Sequence, residues 1–143
     1  MGYTIYWDYI QHNHLTFPQE FQDDVKEILN KAKANKIKLG NWEGNPLKNI
    51  EACITDKEIK FNGIYPDSCE TFVFPIKDPR GMSFSFCKTE GNIYSIVIMA
   101  ILDKALEYKL ISKWSSDITP EDTILKEQYK KLYESNSNEQ PKE

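Results

Sequence analysis

Three short segments of alternating apolar residues constrain the fold of this chain most strongly. In each of them apolar side chains recur at every second residue, which is the period of a β-strand that buries one face. The three apolar sets are Ile59 with Phe61, then Phe72 with Phe74 and Ile76, and finally Met82 with Phe84 and Phe86. The sequence therefore predicts an antiparallel meander of strands over 58–62, 70–76 and 82–88.

The register of the last two strands follows from their apolar faces. Residues 77–81 contain the aspartate, proline and glycine that are typical of a five-residue hairpin loop. Because a slip of one residue would expose one apolar face, we expect Phe74 opposite Phe84 and Phe72 opposite Phe86. Both faces should then point into the core.

The same ladder predicts the neighbours at the end of the hairpin away from its turn. One further step places Glu70 opposite Lys88, with both side chains on the core-facing side. Pairing Phe61 with Phe72 in the preceding hairpin sets Gly63 beside Glu70. Since Gly63 has no side chain, we expect open space next to the Glu70 carboxylate.

The rest of the chain adds further strands and helices. Aromatic and β-branched residues predict a strand over 3–9, and a one-sided apolar stripe predicts a helix over 18–35. Residues 92–108 are apolar nearly all round, so they predict a central buried helix; their β-branched residues leave a strand as the alternative. A strand over 110–114 and a helix over about 119–133 complete the pattern.

These elements predict an α+β fold with one domain over 1–134. We expect an antiparallel sheet of about four to five strands, with helices packed mainly on one face. Helix 92–108 should cover the aromatic face of the sheet, which comprises Phe61, Phe72, Phe74, Phe84 and Phe86. Residues 135–143 are polar and predict a disordered tail.

The composition argues against several classes of function. The chain of 143 residues has a net charge of −4 and a single arginine, Arg80, so binding to nucleic acid or to a membrane surface is not expected. The three cysteines are odd in number and lack CxxC spacing, so we expect neither a disulfide framework nor zinc. The N-terminal residues show no signal-peptide pattern, and a cytoplasmic location is expected. No cofactor is indicated, and the oligomeric state is open.

Polar residues cluster where the third strand of the meander gives way to helix 92–108. A lysine, a hydroxyl and free backbone N–H groups at a helix start form a generic site for an anion. The predicted ligand-binding residues are Glu70, Lys88, Thr89, Asn92, Tyr94 and Asp117. In the alternative interpretation Glu70 and Lys88 form a cross-strand ion pair, and Thr89 or Asn92 caps the helix.

The two histidines, His12 and His14, and the thiol of Cys87 are weaker candidates. The histidines could share a face near Asp8, but a metal would need a defined third ligand, so two loop histidines are the simpler interpretation. Lys88 could lower the pKa of the Cys87 thiol, but the strand alternation places the two side chains on opposite faces. We therefore predict no metal site and leave catalytic residues unassigned.

The order of several motifs resembles that of a family of small, uncharacterised bacterial and phage proteins with the pattern GYTxYW, FNG, HETF, FCKT, PYD and SDG. The matching segments are Gly2-Tyr3-Thr4-x-Tyr6-Trp7, Phe61-Asn62-Gly63, Glu70-Thr71-Phe72, Phe86-Cys87-Lys88-Thr89, Tyr94 and Ser115-Ser116-Asp117. Cys69 stands in place of the family's histidine, Ile93-Tyr94-Ser95 in place of PYD, and Ile118 in place of the final glycine. The resemblance implies site positions and a microbial or phage origin, but no reaction.

Three functions remain open at this point. The leading hypothesis is non-catalytic binding of a small anionic, nucleotide-like ligand. The second is a protein-interaction module, such as a phage inhibitor of a host factor, and the third is a small enzyme that uses Glu70 as an acid or base. A deep pocket at Glu70 and Lys88 would favour the first or third, whereas a flat exposed apolar patch elsewhere would favour the second.

Overall fold

The fold is α+β, which confirms the predicted class; up to residue 117, the described part of the chain has two α-helices and five strands in two antiparallel sheets. The computed structural model describes residues 3–77, 81, 83–117 and 127. In chain order the elements are β1 (Thr4–Tyr9), α1 (Gln19–Ala34), a short 3-10 helix (Ile50–Cys53), β2 (Glu58–Phe61), β3 (Phe72–Pro75), β4 (Phe84–Lys88), α2 (Tyr94–Glu107) and β5 (Ile111–Ser116).

The larger sheet has three strands in the order β4-β1-β5, so β1 is its central strand. Both pairings are antiparallel, with Trp7 opposite Ser85 of β4 and opposite Trp114 of β5. Ile5 and Trp7 are buried on the inner face, while Tyr6 points to the outer face. The alternation in the first strand is therefore that of a sheet with one buried face.

The smaller sheet consists of β2 and β3, and it confirms one predicted register. Phe61 lies opposite Phe72 and Ile59 lies opposite Phe74. All four of these side chains are buried, as the alternating pattern predicted. The five strands of the described residues form two sheets and not the single sheet that we expected.

The predicted hairpin between β3 and β4 is wrong. β4 pairs with β1, and its face is inverted: Phe84 and Phe86 are 40% and 47% exposed, while Cys87 is buried. The physical reason is the volume of the core, because the Trp7 ring lies 5.4 Å from that of Phe72. The small side chains of β4 leave room for these rings on the inner face, where two further phenylalanines would not fit.

The two helices close the core on the inner side. The predicted apolar stripe of α1 is confirmed, since all its members are buried: Phe21, Val25, Ile28, Leu29 and Ala32. Helix α2 is buried almost all round and packs against α1, β5 and β1, which confirms a central helix. It does not cover Phe84 or Phe86, because these side chains lie on the opposite face of the larger sheet.

Several predictions fall on residues outside the described ranges. These are the hairpin loop at 78–80, the apolar position of Met82, the helix over about 119–133 apart from Glu127, and the tail over 135–143. Within the described residues, no helix has the length and apolar character needed to cross a membrane.

Candidate functional site

Glu70 and Lys88 are neighbours, as predicted, but through the backbone. The Glu70 N–H donates to the Lys88 carbonyl oxygen at 3.1 Å, and the Lys88 N–H donates to Oε1 of Glu70 at 2.8 Å. Both side chains are exposed instead of facing the core, and within the described part of the chain no salt bridge joins them. The Glu70 carboxylate therefore caps the edge of β4 and does not pair with the lysine ammonium.

The polar groups of Tyr94, Thr89 and Asn92 are engaged within the protein. The Tyr94 hydroxyl donates to the Glu70 carbonyl oxygen at 2.6 Å, and burial raises the pKa of this phenol. The buried Thr89 hydroxyl accepts a 2.6 Å hydrogen bond from Ser95 Oγ, and Asn92 Nδ2 donates to the Ser68 carbonyl oxygen at 3.4 Å. These bonds fasten the start of α2 to the segment before β3 and to the residue that follows β4.

The backbone N–H groups at the start of α2 are not free, as the predicted anion site would require. The helix begins at Tyr94, its N-cap residue is Ile93, and no side chain caps it, so neither Thr89 nor Asn92 has that role. The N–H groups of Ser95 and Ile96 donate to the carbonyl oxygens of Asn92 and Ile93. Because tight turns already use these donors, they do not point towards a ligand.

Asp117 lies across β1 from the other predicted site residues. Its Oδ2 accepts hydrogen bonds from the Thr4 N–H at 3.3 Å and from the Tyr6 hydroxyl at 3.2 Å. Since Thr4 is opposite Lys88 on β4, the predicted residues Lys88, Thr89 and Asp117 lie at the same end of the larger sheet. Their role in ligand binding stays a prediction.

The space beside Gly63 is occupied, contrary to our expectation. A Cβ atom at this position would lie 2.5 Å from the Asp67 carbonyl oxygen and 2.9 Å from Cδ1 of Tyr94. The Asp67 backbone and the Tyr94 ring thus fill the space that we expected to be open for a ligand.

The three thiols are free, and two of them are buried. Burial raises the pKa of Cys87 to about 12, with a further increase from the nearby Glu70 carboxylate, and burial alone raises the pKa of Cys53 to about 11. A thiol with a raised pKa stays protonated at neutral pH and is a poor nucleophile.

We therefore expect Cys87 and Cys53 to resist alkylation. In iodoacetamide labelling of the native protein at about pH 8, each should react at least about a hundredfold more slowly than a free thiol, because its thiolate population is small. Labelling in urea should restore normal rates and serves as the control. Rapid labelling of Cys87 in the folded protein would contradict the buried position of this thiol.

The histidines lie together in the loop after β1. The His12 and His14 rings are 5.1 Å apart, and Nδ1 of His12 accepts from the His14 N–H at 3.2 Å. Burial lowers the pKa of His12, and the neighbouring His14 lowers it further. No group of three or more His, Cys, Asp or Glu side chains within the described residues could hold a metal ion.

A cleft that the sequence analysis did not identify lies at the C-terminal end of α1. It has a volume of about 590 Å³. Its walls come from the end of α1, the extended segment after it, the loop before the 3-10 helix together with the first residue of that helix, and Ile64. The lining residues are Leu29, Lys33, Lys36, Ile37, Lys38, Leu39, Pro46, Leu47, Lys48, Ile50 and Ile64. We call this site the lysine cleft.

The floor of the lysine cleft is apolar and its rim is cationic. Leu29, Ile37 and Leu39 are buried, whereas the four lysines are exposed. None of the described lining residues is acidic, and no carboxylate of the described chain lies within salt-bridge distance of these lysines. The cleft therefore combines a surface for an apolar group with positive charge at its edge.

Hydrogen bonds hold the walls of the cleft in place. The Leu47 N–H donates to the Leu39 carbonyl oxygen at 3.1 Å, and Gly40 exchanges backbone hydrogen bonds of 2.7 and 2.8 Å with Asn62. The alternation Lys36-Ile37-Lys38-Leu39 is the sequence signal that could have indicated one wall. Lys33 and Lys48 join it only because the chain folds back on itself.

Comparison with known proteins gives no relative for this chain. It matches no protein-family model, and searches among curated proteins and solved structures give no match either.

Proposed function

We propose that this protein binds a small amphiphilic anion in the lysine cleft without catalysing a reaction. The observation that supports the proposal is the set of four lysines without described carboxylate partners around an apolar floor. The volume of about 590 Å³ lies within the range of about 300–1,000 Å³ that is usual for small-molecule sites. The predicted ligand class is thus retained, at a different location.

The distribution of charge favours an anion that carries an apolar or aromatic part. The chain as a whole is acidic, with a net charge of −4, so a cluster of lysines without acids stands out against the rest of the surface. Lysine ammonium groups bind phosphate or carboxylate as point charges, and buried aliphatic side chains accept an apolar body. A nucleotide or an alkyl phosphate has both parts.

The backbone of Lys36 adopts a conformation that lysine rarely takes. Its φ of 64° is left-handed, and the Ile37 N–H donates to the Ala32 carbonyl oxygen, which is the helix ending that normally has glycine at this position. A lysine here costs conformational energy that glycine would avoid.

The cellular setting remains part of the proposal. Three free cysteines fit a reducing cytoplasm, and the motif order resembles that of bacterial and phage proteins. An enzyme that uses Glu70 receives no support, because this carboxylate accepts a backbone N–H on an exposed sheet edge.

We expect Lys36→Gly to stabilise the protein while weakening anion binding. Relief of the left-handed strain should raise the free energy of unfolding by about 0.5–1 kcal/mol. Loss of one ammonium should weaken binding of a nucleotide or alkyl phosphate about fivefold, since an exposed charge pair is worth about 1 kcal/mol. Urea unfolding and isothermal titration with a panel of nucleoside and alkyl phosphates measure the two effects.

Lys109→Gly is the matched control. Lys109 ends α2 in the same way, with φ of 60° and a Leu110 N–H that donates to the Ala105 carbonyl oxygen, but it does not line the cleft. It should stabilise the protein equally and leave binding unchanged. If no member of the panel binds, or if Lys36→Gly binds as tightly as the parent protein, the proposed function is wrong.

A further inference from the structure

We propose that strand β4 pairs with β4 of a second copy of this chain and forms a symmetric dimer. The strand lies at one edge of the larger sheet and exposes Phe84 and Phe86. This surface is separate from the lysine cleft and does not depend on the proposed function.

The direction of the backbone groups of β4 follows from its pairing with β1. The Thr89 N–H donates to the Tyr3 carbonyl oxygen and the Tyr9 N–H donates to the Ser83 carbonyl oxygen. In an antiparallel ladder hydrogen-bonded pairs alternate with non-bonded pairs, so the odd-numbered residues of β4 bond to β1. The N–H and C=O groups of Phe84, Phe86 and Lys88 therefore point away from the sheet.

Glu70 closes one end of this open edge. It uses both outward groups of Lys88, with its N–H donating to the carbonyl oxygen and its carboxylate accepting the N–H. No corresponding partner is described for the backbone of Phe84 or Phe86. A carboxylate placed at an edge limits further strand pairing, so the open part of the edge is the segment 84–86.

The neighbouring β3 does not pair with β4. Its Cα atoms are almost everywhere more than 8 Å from those of β4, whereas paired strands lie about 4.8 Å apart. The ladder partner of β3 is β2, and the Ile76 N–H extends this pairing by donating to the Lys57 carbonyl oxygen.

The sequence of the edge is self-complementary. Residues 83–87 read Ser-Phe-Ser-Phe-Cys, which is nearly symmetric about Ser85. Antiparallel pairing about Ser85 brings Phe84 of each copy opposite Phe86 of the other, and each of these pairs exchanges two backbone hydrogen bonds. The phenylalanines then lie side by side on the outer face, next to Tyr6, which stacks on Phe84 at 6.0 Å. A twofold interface requires such a surface that matches itself.

Sedimentation measurements test the dimer. Because the ladder is short, we expect the mean mass to rise with concentration between about 10 μM and 1 mM, towards twice the monomer value. If the protein stays monomeric over this range, the proposal is wrong. An extended peptide of another protein would then be the remaining candidate to pair with the edge of β4. Sedimentation at constant monomer mass is therefore a decisive result.

Two double variants test the register. Phe84→Lys with Phe86→Lys places like charges opposite each other and should weaken self-association at least tenfold. Phe84→Lys with Phe86→Glu removes the same rings but places opposite charges across the interface, so it should associate more strongly than the first variant. Equal association of the two variants overturns the pairing about Ser85. Circular dichroism checks that both remain folded, which is expected because the two positions face solvent.

Hydrogen exchange of single amides identifies the interface. The Phe84 and Phe86 amides should exchange slowly at high protein concentration and rapidly at low concentration. The amides of Ser85 and Cys87, which bond within one copy, should be protected at both. A dimer in which Phe86 exchanges rapidly at every concentration would use another surface and would refute the proposal.

Discussion

Replacing Phe72 by alanine should lower the free energy of unfolding by about 3–5 kcal/mol. Phe72 is fully buried, and its ring lies 5.3 Å from that of Phe61 and 5.4 Å from that of Trp7. Its ring packs between the two sheets, so the alanine variant has a cavity there. The neighbouring aromatic rings cannot move in to fill this cavity, because backbone hydrogen bonds fix the strands that carry them. Denaturant unfolding monitored by tryptophan fluorescence measures the loss.

Phe86→Ala is the control for this prediction. The alternating pattern placed Phe72 and Phe86 together in the core, but Phe86 is 47% exposed on the outer face. We therefore expect the control to change stability by less than about 1 kcal/mol at a concentration where the protein is monomeric. If Phe72→Ala does not fold, Phe72→Leu should still show a loss larger than that of the control. Equal losses at the two positions would contradict the inverted face of β4.

Gly63→Ala should lower the free energy of unfolding by about 2–3 kcal/mol. The added Cβ atom would lie 2.5 Å from a backbone carbonyl oxygen of Asp67, which cannot move as a flexible side chain would. Asn62 holds the same turn, since its Oδ1 accepts the N–H groups of Gly63 and Cys69 at 2.7 and 3.1 Å. The methyl group must therefore displace a segment that is bonded on both sides.

Gly81→Ala is the control for this prediction. It shows how much stability is lost when a glycine is replaced at a position without a close steric contact. Gly81 has a φ of 74°, but no atom beyond its two chain neighbours lies within 4 Å of the position that its Cβ would take. Only backbone strain is added there, and we expect a loss of about 1 kcal/mol. Thermal and urea unfolding of both variants give the comparison. A Gly63→Ala variant as stable as Gly81→Ala would mean that the turn at 63–67 adapts easily.

The predictions that succeeded rest on contacts that are close in sequence. The stripe of α1 is set by helical periodicity, and the pairing of Phe61 with Phe72 is set by two apolar faces joined by one connection. Both predictions depend only on the residues of the helix or the hairpin concerned. Glu70 and Lys88 are in backbone contact, although the β3–β4 hairpin register from which we expected them to be neighbours is wrong and the ion pair is absent.

The lysine cleft could not be derived in this way because its lining comes from separate segments. Lys33 belongs to the last turn of α1, where a cation is also favoured by the helix dipole, so its position alone suggests only helix stability. Lys48 lies in a loop that folds against Leu39. The two lysines become candidates for ligand binding only because the fold brings them together around buried leucine and isoleucine side chains.

The sequence by itself determined the α+β class, the extent of the helices α1 and α2, and the strand period of β4. It did not determine which face of β4 is buried, because phenylalanine on one side and serine and cysteine on the other are both compatible with a strand. The tertiary structure decided which face of β4 is buried, because the space on the inner side of the sheet is limited. Trp7 fills the space opposite Ser85, so the small side chains turn inward and the phenylalanines turn outward. Apolar character favours burial for every phenylalanine, but a close-packed core accepts only those whose volume it can hold.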